Sequence, residues 1–390
     1  MKKLIAMMLM LASVFFISCN DDDDKDDEGT NPLTVAEAQQ EFTQLGAEMS
    51  GMITDMEEVQ GVDVLMMISE LPDPFSALNK STANTNVINN IKKYVLPNTI
   101  FSKEKGNLEE VGFDFEYYKG IYTYYHTPIP RWEWVDDADK IEINFPSDET
   151  NMTNNDAKMT ISSYSEVMIT EYDDYGEYYD YVPNDIEASL ELNSIEILSL
   201  DMSATWITSG DAASEPTALD VDVFLLPFDF HVDFTHASTT VDVNAWIKYD
   251  AATIFSVGLD AVFASTDMDN PPLTIGGYIQ LFDVRFDADV NLAAFMLIIE
   301  GMDSENPVYT SPELLETAIN GTFDASVSVN GAEAADIIID IITFTPAEGE
   351  FPIDVLFVYN DGTSESAIPY FEGFVAQVIE FFGGMEDFYL

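Results

Sequence analysis

Residues 228–249 read FDFHVDFTHASTTVDVNAWIKY, and the alternation in this stretch decides the fold. Phe228, Phe230, Val232 and Phe234 interleave with Asp229, His231, Asp233 and Thr235, and Val241, Val243, Ala245, Ile247 and Tyr249 repeat the pattern after His236–Thr239. A period of two marks strands with one face buried and the other in water. Pairing Thr235 with Thr240 sets each apolar residue of one strand against an apolar residue of the other, so the register is well specified. Phe255, Val257, Leu259, Ala261 and Phe263 continue as a third strand, which fits the second across a loop of three or five residues.

The same period extends outward in both directions. Phe282, Val284, Phe286, Ala288, Val290 and Leu292 make a strand whose wet side carries Asp283, Arg285, Asp287 and Asp289. Phe323–Val329 and Ile337–Phe344 flank Asn330-Gly331, a strong tight-turn pair, and Phe351–Tyr359 ends at Asn360-Asp361-Gly362. Upstream, Phe113, Phe115 and Tyr117 alternate before Lys119-Gly120 and predict a hairpin with Ile121–Tyr125; Trp132, Trp134, Ile141, Ile143, Phe145, Met159 and Ile161 follow. This is about twelve to fourteen strands by the spacing of turn signals.

Helical periods stand at the two ends. From Thr34 to about Leu71 one apolar stripe runs through Phe42, Leu45, Met49, Met52, Ile53 and Met56, with Thr34 and Glu37 at capping-box spacing. Gly61 interrupts it, and Pro72 with Pro74 ends it. A methionine-rich stripe is more often a packed helix face than a ligand site. A shorter helical stretch lies near Val87–Tyr94, and Ala367–Phe382 closes the chain with Phe371, Phe374, Val375, Val378 and Phe381 on one side and Gly383-Gly384 as its stop. Strand runs bounded by helices, without βαβ alternation, give an α+β class that is predominantly β. The expected architecture is a large curved antiparallel sheet or half-barrel with N-terminal and C-terminal helices packed on it.

The chain has 390 residues, 14 Lys and Arg against 72 Asp and Glu, and a formal charge of −58. Such a surface repels nucleic acid, which excludes it as a partner class. Hydrophobic residues at 47% and aromatics at 12% exceed what a disordered acidic chain carries, so the body can bury a core. The single cysteine, Cys19, rules out an internal disulfide. It sits where the apolar run Leu4–Ile17, preceded by Lys2 and Lys3, gives way to NDDDDKDDEGTNP. A run of about 14 apolar residues is too short to span a bilayer and has the length of a signal-peptide core.

Lys2-Lys3, the apolar run, Phe16-Ile17-Ser18-Cys19 and the acidic stretch Asp21, Asp22, Asp23, Asp24, Lys25, Asp26, Asp27 and Glu28 resemble the leader of Bacteroidota surface-exported lipoproteins. The resemblance implies diacylglycerol and palmitate on Cys19, removal of residues 1–18, an acidic export signal, and an outer-membrane anchor with the body facing the exterior. Loss of the two leader lysines takes the formal charge to −60. The stretch Tyr117–Ile161, with Trp132-Glu-Trp134, Asn144-Phe-Pro-Ser147 and Asn154-Asn155, is similar to segments of Bacteroidota lipoproteins to which no activity is attached. The expected organisation is 1–18 signal peptide, 19–33 lipidated cysteine and flexible tether, 34–110 helical segment, 111–365 antiparallel β body, and 366–390 terminal helix and tail.

Chemistry is sparse. Three histidines, none beside a serine elbow, give no nucleophilic triad, and no glycine loop precedes a helix to cradle a phosphate. With 72 acids, paired carboxylates carry no information about glycoside hydrolysis. Asp229, His231 and Asp233 share one strand face at about 7 Å spacing, with His236 in the turn; a solvated strand face explains them better than zinc. Glu171–Tyr181 and Asp267–Asn270 are the densest oxygen clusters, which makes Asp173, Asp174, Asp267 and Asp269 the candidate calcium ligands, against loops that are merely solvated. Trp132, Trp134, Tyr178 and Tyr179 are the candidate ligand-binding aromatics, suited to sugar rings, although the two tryptophans share a strand face that a core would also claim. The expected function is a non-enzymatic anchored lipoprotein acting in binding or display, with no cofactor and with calcium at those acids as the one candidate ion. Two alternatives stand beside it: a periplasmic carrier of a lipid or other hydrophobic ligand, and a glycan-binding or glycan-acting component of a polysaccharide-use system. The sequence leaves the oligomeric state open.

Overall fold

The computed structural model describes residues 33–45, 59–78, 86–95, 112–137, 139–173, 176–210, 213, 216–265, 271–302, 309, 311–342 and 353–370. Cys19, the acidic run 21–28 and the C-terminal helix expected over 367–382, beyond residue 370, lie outside them. Strands dominate. They are β1 Gly120–Tyr125, β2 Arg131–Val135, β3 Ile141–Phe145, β4 Ala157–Asp173, β5 Gly176–Leu192, β6 Ile195–Trp206, β7 Pro216–Leu225, β8 Phe228–Ala237, β9 Thr240–Tyr249, β10 Ala252–Val262, β11 Thr274–Leu281, β12 Val284–Val290, β13 Phe323–Val329, β14 Ala332–Ile341, β15 Ile353–Tyr359 and β16 Ser364–Ser366. The hydrogen-bonded order runs from β16 down to β3 in strict sequence and ends β3-β1-β2.

That last step makes the sheet mixed, a correction to the expected all-antiparallel order. β1 pairs with β2 in antiparallel fashion but with β3 in parallel, Tyr122 opposite Trp134 on one side and Ile143 on the other. The segment Phe113–Tyr117, expected as the partner of Ile121–Tyr125, contributes instead a short helix, Phe115–Tyr118. Asp114 caps that helix by accepting from the Tyr117 N–H at 3.1 Å. A local cap therefore outweighed the period of two.

The chain falls into two units: Asp55–Thr235 with Ile247–Ala252, and the remainder, Met1–Thr54, His236–Trp246 and Thr253–Leu390. In the first, helix α2 (Gln60–Glu70) lies on β6, and helix α3 (Asn86–Val95) lies over β5, β6 and β7. Here the short helix Phe115–Tyr118 is α4. Val64, Leu65, Met67 and Ile68 of α2 are buried, as are Val87, Ile88, Ile91, Tyr94 and Val95 of α3. Gly61 does not break α2 but opens its first turn: a Cβ there would stand 2.9 Å from the Ile197 carbonyl and 2.7 Å from Leu225 Cδ1. The glycine lets the helix approach the strand backbone.

In the second unit the helix over residues 35–45 (α1) carries the expected capping box. The Thr34 N–H donates to Glu37 Oε2 at 2.9 Å and the Glu37 N–H to Thr34 Oγ1 at 3.4 Å. Ala38, Phe42 and Leu45, one face at i, i+4 and i+7, join a buried cluster with Leu281, Val327, Val329, Ile337, Val355 and Phe357. The Phe42 and Phe357 rings lie 4.8 Å apart. Two further helices interrupt the expected β body: α5 (Leu292–Met302), begun by Asn291 Oδ1 accepting from the Ala294 N–H, and α6 (Pro312–Asn320), begun by Ser311. Leu292, expected as strand, is therefore the first helical residue. Ile298, Leu315, Ile319, Ile341 and Ile353 form the cluster beneath them.

The hairpins are tight. Asn330 and Gly331 take positive φ of 53° and 75°, as the Asn-Gly signal requires, and Asp250 and Ala251 take 47° and 68°. The β9–β10 loop is thus two residues, not three or five. β8 extends to Ala237 and β9 begins at Thr240, so their connection is Ser238–Thr239 alone. The expected turn, His236–Thr239, is thus shortened to two residues.

Candidate functional site

The wet face of β5–β8 carries the one group of three potential metal-ligating side chains found among the described residues. Its construction follows from register. Glu187 lies opposite Asp201, Asp201 opposite Asp222, and Asp222 opposite His231, while the next row pairs Ser203 with Asp185 and Asp220, and Asp220 with Asp233. On the reverse face Ile186, Ala188, Leu200, Met202, Val221, Val223, Phe230 and Val232 are buried, which holds the carboxylates outward. Like charges directly opposite one another repel. Burial first, and then Glu187, Asp222, Asp185 and Asp220, push the Asp201 carboxyl above its ordinary range.

His231 is the one base expected from sequence that meets this ladder. Its Nδ1 stands 2.9 Å from Asp222 Oδ1, and one ligand atom each from Asp220, Asp222 and His231 fall within 4.8 Å of one another. Three such donors could hold a divalent ion. They are solvent-facing, and their geometry selects no ion over water. The sequence paired His231 with Asp233 and His236 along the chain; the structure pairs it with Asp220 and Asp222 across strands, which only the β7–β8 register reveals.

The other sequence candidates are scattered. Trp132 is 6% exposed, packs edge-on against Tyr124 at 5.2 Å, and donates its Nε1 hydrogen to the Pro72 carbonyl at 2.6 Å, so it is a core residue. Trp134, on the same strand face, is 36% exposed and lies against Gly120, where a Cβ would stand 1.9 Å from its Nε1. Its Nε1 donates to the Lys119 carbonyl at 3.2 Å. Tyr179 is 45% exposed on β5 opposite Thr170, and Tyr178 lies opposite Glu171. The stretch expected as an acidic aromatic loop is therefore the end of a hairpin of two 17-residue strands, β4 with β5. Asp173 pairs with Gly176 at its tip, and Asp174, Asp267 and Asp269 lie outside the described residues.

A second polar group lies inward in the same unit. Tyr164 and Glu166 of β4 project toward α3 and the residues before α4. Asn90 Nδ2 donates to the Tyr164 hydroxyl at 2.7 Å, Tyr164 donates to Glu166 Oε1, and the Phe113 N–H donates to Glu166 Oε2 at 2.7 Å. Burial pushes Glu166 up despite these bonds, and nearby Asp180 adds to the rise. Nothing in the sequence joins these residues, which are up to 76 positions apart.

No family model matches the chain, and no curated protein matches it. Among solved structures, a porin-like protein from Bacteroides vulgatus is similar over 50% of this chain and 88% of its own, at 10% identity and a TM-score of 0.19. A likeness of that size carries no argument.

Proposed function

We propose that the chain is a lipid-anchored lipoprotein of the outer membrane, displayed outward, whose β body binds a ligand or partner and does not catalyse a reaction. The observation that carries the reading is the junction at Cys19, where an apolar run of signal-peptide length meets a small residue, the cysteine and an acidic stretch. The long strands β4–β8, with a packed core on one face and a solvent-facing row of carboxylates on the other, support a body that works through a surface. Among the described residues no helix is long and apolar enough to cross a membrane, which agrees with an anchor supplied by lipid.

Metabolic labelling with palmitate tests the anchor: wild-type protein takes up label and Cys19→Ala does not, and label in both overturns it. Protease treatment of intact cells tests display, with cleavage of the β body before lysis expected and full protection until lysis pointing to the periplasm. The burial of Trp132 removes one of the expected aromatic candidates, while Trp134 and Tyr179 stay exposed for the glycan reading.

A further inference from the structure

Glu166 is joined to three parts of its unit at once. Its own strand supplies Tyr164, which is 4% exposed; α3 supplies Asn90, which reaches it through the Tyr164 hydroxyl; and the residues leading into α4 supply the Phe113 N–H. The fit around it is close. A Cβ on Gly112 would stand 2.9 Å from Glu166 Oε2 and 2.6 Å from the Tyr181 ring, so only glycine lets the backbone reach the carboxylate here. Phe113 stacks on Tyr118 with ring centroids 4.8 Å apart and meets Tyr164 edge-on at 5.4 Å, closing the site with aromatic carbon. The irregularity in the β4–β5 ladder between Ser165 and Glu166 sets Glu166 opposite Pro183, which has no N–H to offer.

Among the described residues, the groups that act on the carboxylate carry no positive charge. β4 contributes Tyr164, β5 contributes Asp180 and Tyr181, α3 contributes Tyr94, and the segment before β1 contributes Tyr118. Asp180 bears the same sign as Glu166, and burial holds the Tyr94 hydroxyl up at about 12, neutral at physiological pH. Lys93 lies over the Tyr94 ring, 5.9 Å from its centroid. Among the described residues, an ionised Glu166 is held by hydrogen bonds from neutral donors, in a partly buried place.

We propose that Glu166 is a proton-operated clasp that holds α3 and residues 112–118 on β4 when protonated and loosens that cover when ionised. The protonated form costs no hydrogen bond. The acid O–H donates to the Tyr164 oxygen, the other carboxyl oxygen keeps the Phe113 N–H, and a rotated Asn90 amide turns its Oδ1 to accept the Tyr164 hydroxyl hydrogen. The chain of donors runs Asn90 to Tyr164 to Glu166 in one state and in reverse in the other. Ionisation restores a partly buried charge whose relief is fuller hydration, and water reaches it more fully when residues 112–118 lift.

The sign follows from the direction of the shift. Glu166 titrates above its ordinary value of 4.5, so the hold is complete below that value and is lost as pH rises through the folded one. Amide hydrogen exchange, corrected for its intrinsic pH dependence, reads the hold directly. Above pH 4.5, protection in residues 86–95 and 113–118 of the wild type falls as pH rises toward the folded value, by at most about tenfold per pH unit, the limit for one proton. Glu166→Gln, whose amide donates to Tyr164 as the acid does, gives protection that no longer depends on pH at these segments. Tyr164→Phe removes one donor to the carboxylate and moves the fall to higher pH. A wild-type slope retained in Glu166→Gln, or flat protection in the wild type, overturns the proposal. Should Glu166→Gln not fold, carboxyl-carbon NMR of the wild type decides alone: a Glu166 midpoint at or below its ordinary value overturns the clasp, and one above it supports it.

Discussion

Gly61 and Trp132 each carry more structural weight than their sequence context suggests. Gly61→Ala gains about 1 kcal/mol of helix propensity but drives a methyl against the Ile197 carbonyl, a backbone atom that cannot swing aside, at a cost of about 1–3 kcal/mol. A net loss of up to about 2 kcal/mol is expected, read as a lower urea midpoint at unchanged slope; a rise in midpoint would contradict the close approach. Trp132→Ala should cost about 3–5 kcal/mol, as for a buried aromatic whose N–H is satisfied, while Trp134→Ala costs clearly less because a third of its surface is already in water. Equal losses in the two variants would refute that assignment. The sequence set Trp132 and Trp134 on one face and left their burial open, because alternation gives the side of a strand but not how far a neighbouring element covers it. Pro72, sixty residues away, is what closes over Trp132.

Elements were legible in proportion to the contrast between their two faces. β8, β12, β13 and β15 alternate cleanly, and their register follows; the capping box at Thr34 and Glu37 and the turn at Asn330-Gly331 are local chemistry that no distant contact overrode. Three readings failed for physical reasons. α5, Leu292–Met302, has almost no polar residue to reveal a helical period, and its first leucine continued the strand count. α6 did carry its signal, Ser311 followed by Pro312 and Glu313, which is cap chemistry and not periodicity. The β4–β5 hairpin is so rich in Asp, Glu and Tyr near its tip that both faces read as polar. The carboxylate ladder of β5–β8 belongs to this scale too, since it exists only through register. Asp201 titrates above its ordinary value of 3.8, so its ionisation opposes folding at neutral pH and ceases to matter once pH falls below that value. Asp201→Asn should therefore unfold at higher denaturant than wild type at pH 7, with the gap closing on acidification; a gap independent of pH would assign the effect to something other than charge.

For the whole molecule the governing quantity is a formal charge of −58. Self-repulsion on that scale opposes the folded state, and added salt screens it, the Debye length shrinking to about 8 Å at 0.15 M. Raising NaCl from a few millimolar to about that concentration should raise the denaturation midpoint, and a flat or falling response would mean that the carboxylates are already compensated. Calcium chloride at matched ionic strength separates screening from ligation: an equal rise is expected of screening, and a further rise would support the candidate calcium sites at the acidic clusters. The strand order has a consequence for how the chain reaches its native state. From β3 to β16 every strand is bonded to its neighbour in sequence, and several connections are only two residues long. Apart from the β12–β13 step, where α5 and α6 intervene, each step of assembly then closes a short loop, so the search grows largely by local addition and β-rich content need not make it slow. The exception is β1, which must admit β3 alongside it after β2 has already turned back. Completion of that corner is the step whose speed should depend least on the hairpins and most on loop closure.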